Sequence, residues 1–486
     1  MKSIFCFSLL LSAAAVISPK AGELYFEFNI QSREELVQLT KMISIDDVDG
    51  LRVRAYAGDS EFVEFQKLNY TCRILPHPGT LLSSPRMAAT AQAVATWDSY
   101  PTYDAYVAMM YAFADNYPEI CAIENAGYSV QGREILFVRI SDNVTEEEDE
   151  PEVMYTSTMH GDETTGYILM LRLIDSLLTG YGVDTRITNM VNELEIWINP
   201  LANPDGTYRS GNNTVVGAIR GNANYVDLNR NFPDPDEGQH PDGKAWQPET
   251  IAMMTLAGAH RFIISANFHG GAEVVNYPWD TWLRRHPDDS WFQYISRKYA
   301  DTAQANSPAG YMDYLNNGIT NGWDWYPVSG GRQDFMNFWH GCRETTIELS
   351  DMKLLPESLL PAYWVYNRAS LLTYLENALF GIRGLVTDFE TGEPLAATIK
   401  ILNHDQDSSE VYTDPDVGDY HRMLKAGTYD IRFLADNYIS QTVTDITLTD
   451  TSVVVINTAL LSAAYDTDND GIINSEDNCP AVYNPL

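Results

Sequence analysis

The feature that most constrains the fold is an alternation of apolar, β-rich runs with helix-like runs between about residues 100 and 378. EIWIN at Glu195–Asn199, FIISANF at 262–268 and TTIEL at 345–349 have the composition of buried strands. Residues 165–178 have a helical pattern. Alternation of this kind predicts one large α/β domain, in which helices cover a sheet.

Shorter elements precede this domain. Residues 24–76 predict a small α/β unit, in which Ser32 and Glu35 form the capping box of a first helix. Its other predicted elements are strands at 25–30, 51–56 and 71–75 and a helix at 60–67. Residues 77–92, HPGTLLSSPRMAATAQ, have the small and turn-forming composition of a linker or a processing site.

After residue 380 the alternation of strand-like and helix-like runs gives way to β-rich runs alone. The β-rich runs at 381–388, 397–402, 427–434 and 453–460 predict a small antiparallel β-sandwich. We therefore divide the chain into five parts. They are a leader at 1–21, a small α/β N-terminal module with its linker at 22–96, the large α/β domain at 97–380, the β-sandwich at 381–462 and an acidic tail at 463–486.

Residues 1–21 have the pattern of a targeting segment and not of a folded element. Lys2 precedes an apolar run at 4–17, and small residues follow, so we expect a secretory signal peptide cleaved near Ala21. The alternative, a membrane anchor, is disfavoured because the run is too short for a typical bilayer span, and no later stretch is a transmembrane candidate. The protein is expected to be secreted, either to the extracellular space or to the periplasm.

Charge excludes two classes of partner. The chain has 31 Lys and Arg against 67 Asp and Glu, a net charge of −36. Nucleic acids and anionic membrane surfaces are bound through basic surfaces, so neither is expected here. A negative protein attracts cationic ligands and metal ions instead.

A metal site is predicted from two motifs. His160 and Glu163 are three residues apart after the strand-like run at 153–158, and His269 ends an apolar run before two glycines. A His₂Glu set with a water in the open position is a common catalytic zinc arrangement. The pair alone is weak evidence, and His269 could be a hydrogen-bonded core residue. The helical H-E-x-x-H motif is absent, so families built on it are excluded.

Polar residues between these motifs suggest a carboxylate site. IRGNANYVDLNRNFPD contains Arg220 and Arg230, with Asn229 beside the second, and guanidinium groups bind carboxylates through two parallel hydrogen bonds. Asp227 could orient a ligand histidine through its free ring nitrogen. The alternative is a polar loop with surface salt bridges.

Two further residues fit catalysis. Tyr326 precedes a Ser-Gly-Gly turn, where a phenol could move. Glu348 lies inside an apolar strand, and a buried glutamate is costly unless it is paired or functional. Beside a metal it could act as a general base.

Together these motifs resemble the funnelins, or carboxypeptidase A-like zinc metallocarboxypeptidases, and most closely their carboxypeptidase N/E/D-like branch. The resemblance covers about 100–378 and rests on motifs in matching order: HGDET, NPDGT, DLNRNFPD, SANFHGG, NYPWD, WYPVSGG, QDF and TIELS. It implies a mixed-sheet α/β/α carboxypeptidase domain. The N/E/D-like branch usually has no inhibitory prosegment, so a zymogen role for the prosegment-like module stays open.

The resemblance also implies a role for each residue. His160, Glu163 and His269 would bind Zn²⁺, and Arg220 would polarise the scissile carbonyl and hold the oxyanion. Asn229, Arg230 and Tyr326 would bind the terminal carboxylate of the substrate, and Glu348 would be the general base and then the proton donor.

The C-terminal segments carry resemblances of their own. Residues 381–462 are similar to the transthyretin-like domain that follows the catalytic domain in this branch. The tail resembles a thrombospondin type 3 repeat, with spacing that suits Ca²⁺. Its predicted ligands are Asp466, Asp468, Asp470 and Asp477. The alternative is an acidic disordered tail.

Specificity is also inferred from the branch. Asp280 stands where its basic-preferring members have an acidic pocket residue, and Gln333 matches a pocket glutamine. A desolvated carboxylate pairs well with a Lys or Arg side chain. Arg332 stands where Met is common, and its charge would neutralise Asp280 if it pointed inward. Alternatively, Asp280 is a surface residue.

These predictions combine into a secreted zinc metallocarboxypeptidase that hydrolyses the C-terminal peptide bond of peptides and proteins, with preference for Lys or Arg. Its cofactors would be Zn²⁺ and a structural Ca²⁺. Two alternatives stay open: a catalytically inactive relative that acts as a binding or adhesion module, and an amidase of cell-wall peptides.

Overall fold

The computed structural model describes residues 22–465, 474 and 478–483. The predicted signal peptide and the four predicted calcium ligands, Asp466, Asp468, Asp470 and Asp477, lie outside these residues and stay predictions. Among the described residues, every helix is too short or too polar to cross a bilayer.

The N-terminal module is a four-stranded antiparallel sheet with helices. In spatial order its strands are Ser44–Asp49, Arg52–Ala57, Leu24–Asn29 and Cys72–Ile74. The first predicted helix is reduced to a 3₁₀ turn at Arg33–Glu35 and one α-turn at Leu36–Leu39, and the second spans Asp59–Gln66. Phe26, Phe28 and Phe65 form the module's core.

One strand of this module was not predicted. Ser44–Asp49 has the sequence SIDDVD, and Asp is depleted in strands, so propensity argues against it. The strand forms because the apolar side chains of Ile45 and Val48 are buried.

The large domain contains an eight-stranded mixed sheet, as the resemblance implies. In spatial order the strands are Ile319–Asn321, Ala272–Tyr277, Arg343–Ser350, Ile264–His269, Glu152–Ser157, Glu195–Asn199, Glu134–Ile140 and Cys121–Tyr128. The four strands from Arg343–Ser350 to Glu195–Asn199 are mutually parallel. On one side Ala272–Tyr277 pairs antiparallel with them and parallel with Ile319–Asn321, and on the other Glu134–Ile140 and Cys121–Tyr128 continue the sheet in antiparallel pairing.

Helices cover both faces of this sheet. The longer ones are Tyr103–Asn116, Thr165–Gly180, Thr185–Val191, Pro248–Ala259, Asp289–Ala305, Arg332–His340 and Leu360–Glu376. Short helices lie at Ala91–Val94, Pro204–Thr207, Tyr314–Gly318 and Gly322–Trp325, and 3₁₀ turns at Pro78–Thr80, Leu228–Arg230, Glu357–Leu359 and Asn377–Leu379. Met87–Ala88 pairs with Tyr100–Pro101.

The parallel strands place the polar motifs at one edge of the sheet. Ile264–His269 and Arg343–Ser350 are buried along their whole length, as expected for strands covered on both faces. Their register sets His269 opposite Glu348. The loop after Glu152–Ser157 carries His160 and Glu163 to the same edge, since parallel strands end side by side.

Residues 381–460 form a β-sandwich of two sheets. One contains Asp419–Arg422, Gly381–Asp388, Val453–Val455 and Thr458–Leu460, and the other Val411–Tyr412, Ala397–Ile401, Gly427–Ala435 and Gln441–Leu448. The predicted β-sandwich is confirmed, and most of its strand pairs are antiparallel as expected, but one strand departs from that pattern. Gly381–Asp388 pairs in parallel with Val453–Val455 and Thr458–Leu460, because these last strands come from the opposite sheet and not through a hairpin.

Asp288 joins the sandwich to the large domain. Its carboxylate accepts hydrogen bonds from Arg343 of the large domain at 2.7 Å and from Arg422 of the sandwich at 2.8 and 3.0 Å. All three side chains are at most 1% exposed. Burial by itself would raise the pKa of Asp288, but the two guanidinium groups hold it well below its usual range.

Candidate active site

Three predicted metal ligands meet at the carboxyl edge of the sheet. Glu163 lies with one carboxylate oxygen 2.9 Å from His160 Nδ1 and the other 2.9 Å from His269 Nδ1. The two Nδ1 atoms are 3.1 Å apart, and each of the three side chains is at most 3% exposed. Two facing ring nitrogens and a carboxylate at this spacing fit a shared cation.

Neighbouring groups fix the orientation of both rings. His160 Nε2 lies 3.0 Å from Asp227, and His269 Nε2 lies 2.8 Å from the side-chain amide of Asn267. Donation from His160 Nε2 to the Asp227 carboxylate leaves Nδ1 of His160 free to bind a metal. Burial by itself would raise the pKa of Asp227, but Arg220 and His160 hold it well below its usual range. This donor set therefore fits Zn²⁺.

Glu348 lies on the strand next to His269. It is 9% exposed, and within the described part of the chain its Oε2 atom is buried without a hydrogen-bond partner. Burial and the nearby charge of Glu163 raise the pKa of Glu348 well above its usual range. A carboxyl group without a fixed partner beside a metal site is suited to exchange protons.

The predicted carboxylate-binding residues line the same cleft. Asn229, Arg230 and Tyr326 lie around one cavity together with the three metal ligands, Glu348 and Arg220. Arg220 donates to Asp227 at 3.0 Å and to Glu163 at 3.2 Å, so its guanidinium lies directly beside the metal ligands. Arg230 is 5% exposed.

Asp280 is a cleft residue and not a surface one. It is 3% exposed, and its Oδ1 accepts hydrogen bonds from Asn276 at 3.0 Å and Gln333 at 3.1 Å. Burial raises the pKa of Asp280 to about 6. Arg332 points away from it and donates two hydrogen bonds of 2.9 Å to Glu344.

Sequence reasoning missed three residues that contact or line this site. Lys353 is buried and donates to Glu163 at 2.7 Å, and Asn276 holds Asp280. A lone lysine in the run DMKLLP just after the Glu348 strand was the available signal for Lys353. Asp46 of the N-terminal module also lines the cleft, and nothing in its local sequence indicates this.

Comparison with known proteins places this geometry in a family. A family model described as zinc carboxypeptidase matches residues 106–370, more than half of the chain. The chain belongs to the zinc carboxypeptidase family. A second model, described as a carboxypeptidase regulatory-like domain, matches residues 381–461. The family predicted from the motifs is thereby confirmed, together with its C-terminal β-domain.

Relatives in this family include three mammalian proteins. Carboxypeptidase D of Mus musculus is 38% identical over 375 residues, which are 74% of this chain and 26% of the relative. Carboxypeptidase M of Mus musculus is 36% identical, covering 69% of this chain and 78% of the relative. The carboxypeptidase N catalytic chain of Rattus norvegicus is 36% identical, covering 70% and 82%. The matched region thus spans about a quarter of carboxypeptidase D.

Two solved structures share the fold. The carboxypeptidase A of Helicoverpa armigera aligns with a TM-score of 0.56 at 18% identity, covering 74% of this chain and 99% of that one. Thrombin activatable fibrinolysis inhibitor aligns with a TM-score of 0.54 at 17% identity, covering 73% and 98%. The predicted mixed α/β carboxypeptidase fold is confirmed.

Proposed function

We propose that this protein is a zinc-dependent metallocarboxypeptidase that hydrolyses the last peptide bond of peptides and proteins. One observation carries the proposal: a single cleft holds the His160, Glu163 and His269 cluster together with Glu348 and Arg220. Arg230, Asn229 and Tyr326 line the same cleft, so a free terminal carboxylate can be bound next to the reacting bond.

Each residue would have a distinct task. Zn²⁺ bound by the three ligands would supply Lewis-acid chemistry and make water more acidic. Glu348 would take a proton from the attacking water and deliver it to the leaving amine. Arg220 would donate hydrogen bonds to the oxyanion, and Arg230 with Asn229 would fix the terminal carboxylate so that only the last bond is in reach.

We further propose that the enzyme prefers C-terminal Lys or Arg. Asp280 is a buried carboxylate that lines the cleft, and it is held by two neutral side chains, Asn276 and Gln333. No hydrogen bond joins Asp280 to Arg332, which is committed to Glu344. A buried carboxylate without a directly paired cation favours a cationic side chain.

The test is a panel of blocked dipeptides that differ only in the last residue, assayed with the zinc-loaded protein. Release of the last residue supports the peptidase, and faster release of Lys and Arg than of Phe supports the basic pocket. Bound zinc without hydrolysis of any member would support the inactive binding module instead. Amidating the peptide C-terminus should abolish turnover, whereas an amidase would tolerate it.

We also propose that the protein is secreted, which rests on residues 1–21. N-terminal sequencing of the protein recovered outside the cell tests this, with a new terminus at or near residue 22 expected. Recovery of the intact N-terminus inside the cell would contradict secretion.

A further inference from the structure

A second cluster of metal-binding side chains, formed by Glu152, Glu195 and His260, lies at the opposite edge of the large sheet. Glu152 and Glu195 are the first residues of two neighbouring parallel strands, and the register sets them side by side. His260 directly follows the helix Pro248–Ala259. One ligand atom from each of the three side chains lies within 4.8 Å of the other two. The cleft is at the carboxyl ends of the parallel strands, so this second cluster at their amino ends is separate from it.

Donors outside the second cluster hold one oxygen of each carboxylate. Trp197 Nε1 donates to Glu195 Oε1 at 2.7 Å, and the main-chain amide of Arg261 donates to Glu152 Oε2. The other oxygen of Glu152, Oε1, lies 2.7 Å from His260 Nδ1. Outer hydrogen bonds that fix ligand oxygens in this way are typical of metal sites.

The second cluster carries more negative than positive charge. Glu152 and Glu195 are each 6% exposed. Apart from His260, the one cation within 4 Å of them in the described part of the chain is Arg139, whose Nη1 lies 3.5 Å from Glu195 Oε2. Two adjacent buried carboxylates repel each other, and burial together with the charge of Glu152 raises the pKa of Glu195. A divalent cation between them would remove this repulsion.

A similar contact elsewhere in the protein lacks this charge. His404 Nε2 lies 2.7 Å from Asp288, the same distance that separates His260 Nδ1 from Glu152. The two histidine side chains are also similarly exposed, at 25% and 21%. Asp288, however, is bonded to the two buried arginines of the interdomain joint, which would repel a cation. The second carboxylate therefore distinguishes the cluster from an ordinary pair of histidine and carboxylate.

We propose that Glu152, Glu195 and His260 bind a second divalent transition-metal ion such as Zn²⁺. An imidazole nitrogen combined with carboxylate oxygens suits such an ion, whereas Ca²⁺ takes oxygen ligands. His260 is 21% exposed, while each ligand in the cleft is at most 3% exposed. We therefore expect the second ion to exchange with solution and to be lost on dialysis, unlike the ion in the cleft.

The bound ion would have a structural role. It would join the end of one helix to the starts of two strands, and the next residue, Arg261, donates to the main-chain carbonyl of Thr413 in the β-sandwich at 3.3 Å. An ion that binds only the folded chain stabilises it in proportion to its occupancy. The proposal does not rest on the peptidase function, since this site lies away from the cleft.

The experiment is a titration of the full chain with Zn²⁺, followed by calorimetry. The protein is first loaded with zinc and dialysed, so that only the cleft is filled. Excess Ca²⁺ is present throughout, because it fills sites made only of oxygen ligands, including the one predicted in the tail. We expect one further equivalent of Zn²⁺ to bind per chain, and the melting temperature to rise with zinc concentration.

Three variants test the ligands. His260→Ala and Glu195→Gln should each weaken the further equivalent by about tenfold or more, the loss found even for residues that only orient a ligand. Both should also lose the zinc-dependent rise in melting temperature. Glu195→Gln keeps an oxygen that can accept from Trp197, so it should fold. His404→Ala is the matched control and should bind the further equivalent as the wild type does.

The outcomes decide the proposal separately from the function of the cleft. Absence of a further equivalent in the wild type would overturn it, and so would binding that is unchanged in both His260→Ala and Glu195→Gln. An equal loss in His404→Ala would also overturn it. His269→Ala removes a ligand of the cleft and should still bind the further equivalent, so failure of one site can be told from failure of the other.

Discussion

Arg332 Nε and Nη2 each donate a hydrogen bond of 2.9 Å to Glu344, and both side chains are fully buried. Arg332 also donates to Thr156, so its guanidinium is fixed inside the large domain. Its positive charge is compensated by Glu344 and is not available to Asp280. This pairing keeps the charge of Arg332 away from Asp280, as the proposed basic specificity pocket requires.

We predict that Asp280→Asn removes the preference for basic residues. The ratio of kcat/KM for a substrate ending in Arg to one ending in Phe should fall by about 10- to 100-fold, the usual worth of a hydrogen bond between charged groups. Asp301→Asn is a control with the same change in net charge, on a side chain that is 59% exposed. An unchanged ratio in Asp280→Asn would contradict the basic pocket.

The same pocket should make specificity depend on pH. Burial raises the pKa of Asp280 to about 6, so the carboxylate is charged above that pH and neutral below it. The Arg-to-Phe ratio of kcat/KM should therefore fall as the pH drops through about 6. Any enzyme group whose titration changes kcat/KM equally for both substrates cancels in this ratio. Asp280→Asn should give a flat profile, and a flat wild-type profile would exclude this titration.

Metal removal should abolish activity, and added zinc should restore it. His269→Ala removes one of three ligands and should prevent stoichiometric zinc binding, which is measured by elemental analysis of the dialysed protein. His240→Ala is the matched control, since His240 is exposed and outside the cluster. Stoichiometric zinc and full activity in His269→Ala would refute the assigned site.

Glu348→Gln should retain zinc and lower kcat by about 10²- to 10⁴-fold, the range for loss of a general base. The amide preserves the volume of the side chain but cannot accept the proton. Glu273→Gln, a buried glutamate on the neighbouring strand whose contacts are Tyr363 and Met312, is the control. Turnover by Glu348→Gln within about threefold of wild type would mean that another group is the base.

Asp288→Asn should loosen the joint between the large domain and the β-sandwich. It leaves Arg343 and Arg422 buried without their shared partner, at a cost of about 3–5 kcal/mol in the free energy of unfolding. Asp407→Asn breaks a second interdomain pair, with Arg284, which is half exposed and should cost about 1 kcal/mol or less. Urea unfolding measures both, and equal losses would contradict this ranking.

The effect of Asp288 should also depend on pH. Because Arg422 and Arg343 hold its folded pKa well below the unfolded value, the ion pair stabilises the protein above that unfolded pKa. The stabilisation is lost as the pH falls through the folded value. The stability difference between wild type and Asp288→Asn should therefore shrink in acid.

The order of short motifs in the sequence determined the family and predicted much of the candidate site. His160 and Glu163 are close in the chain, and His269 and Glu348 lie on strands that an apolar pattern makes recognisable. Parallel strands end at one edge, so strand positions alone place these residues near each other. Local spacing and hydrophobic pattern are sufficient for that part of the prediction.

Three features were decided only by the tertiary structure. They are the orientation of the Arg332 side chain, the contact of Lys353 with Glu163 and the position of the strand Ser44–Asp49. Each depends on a partner far along the chain: Arg332 on Thr156, Lys353 on Glu163, and Asp46 on Arg220. The strand SIDDVD has low β-propensity and forms because Ile45 and Val48 are buried against the rest of the protein. Contacts of this kind are set by packing of distant segments, which no local pattern in the sequence records.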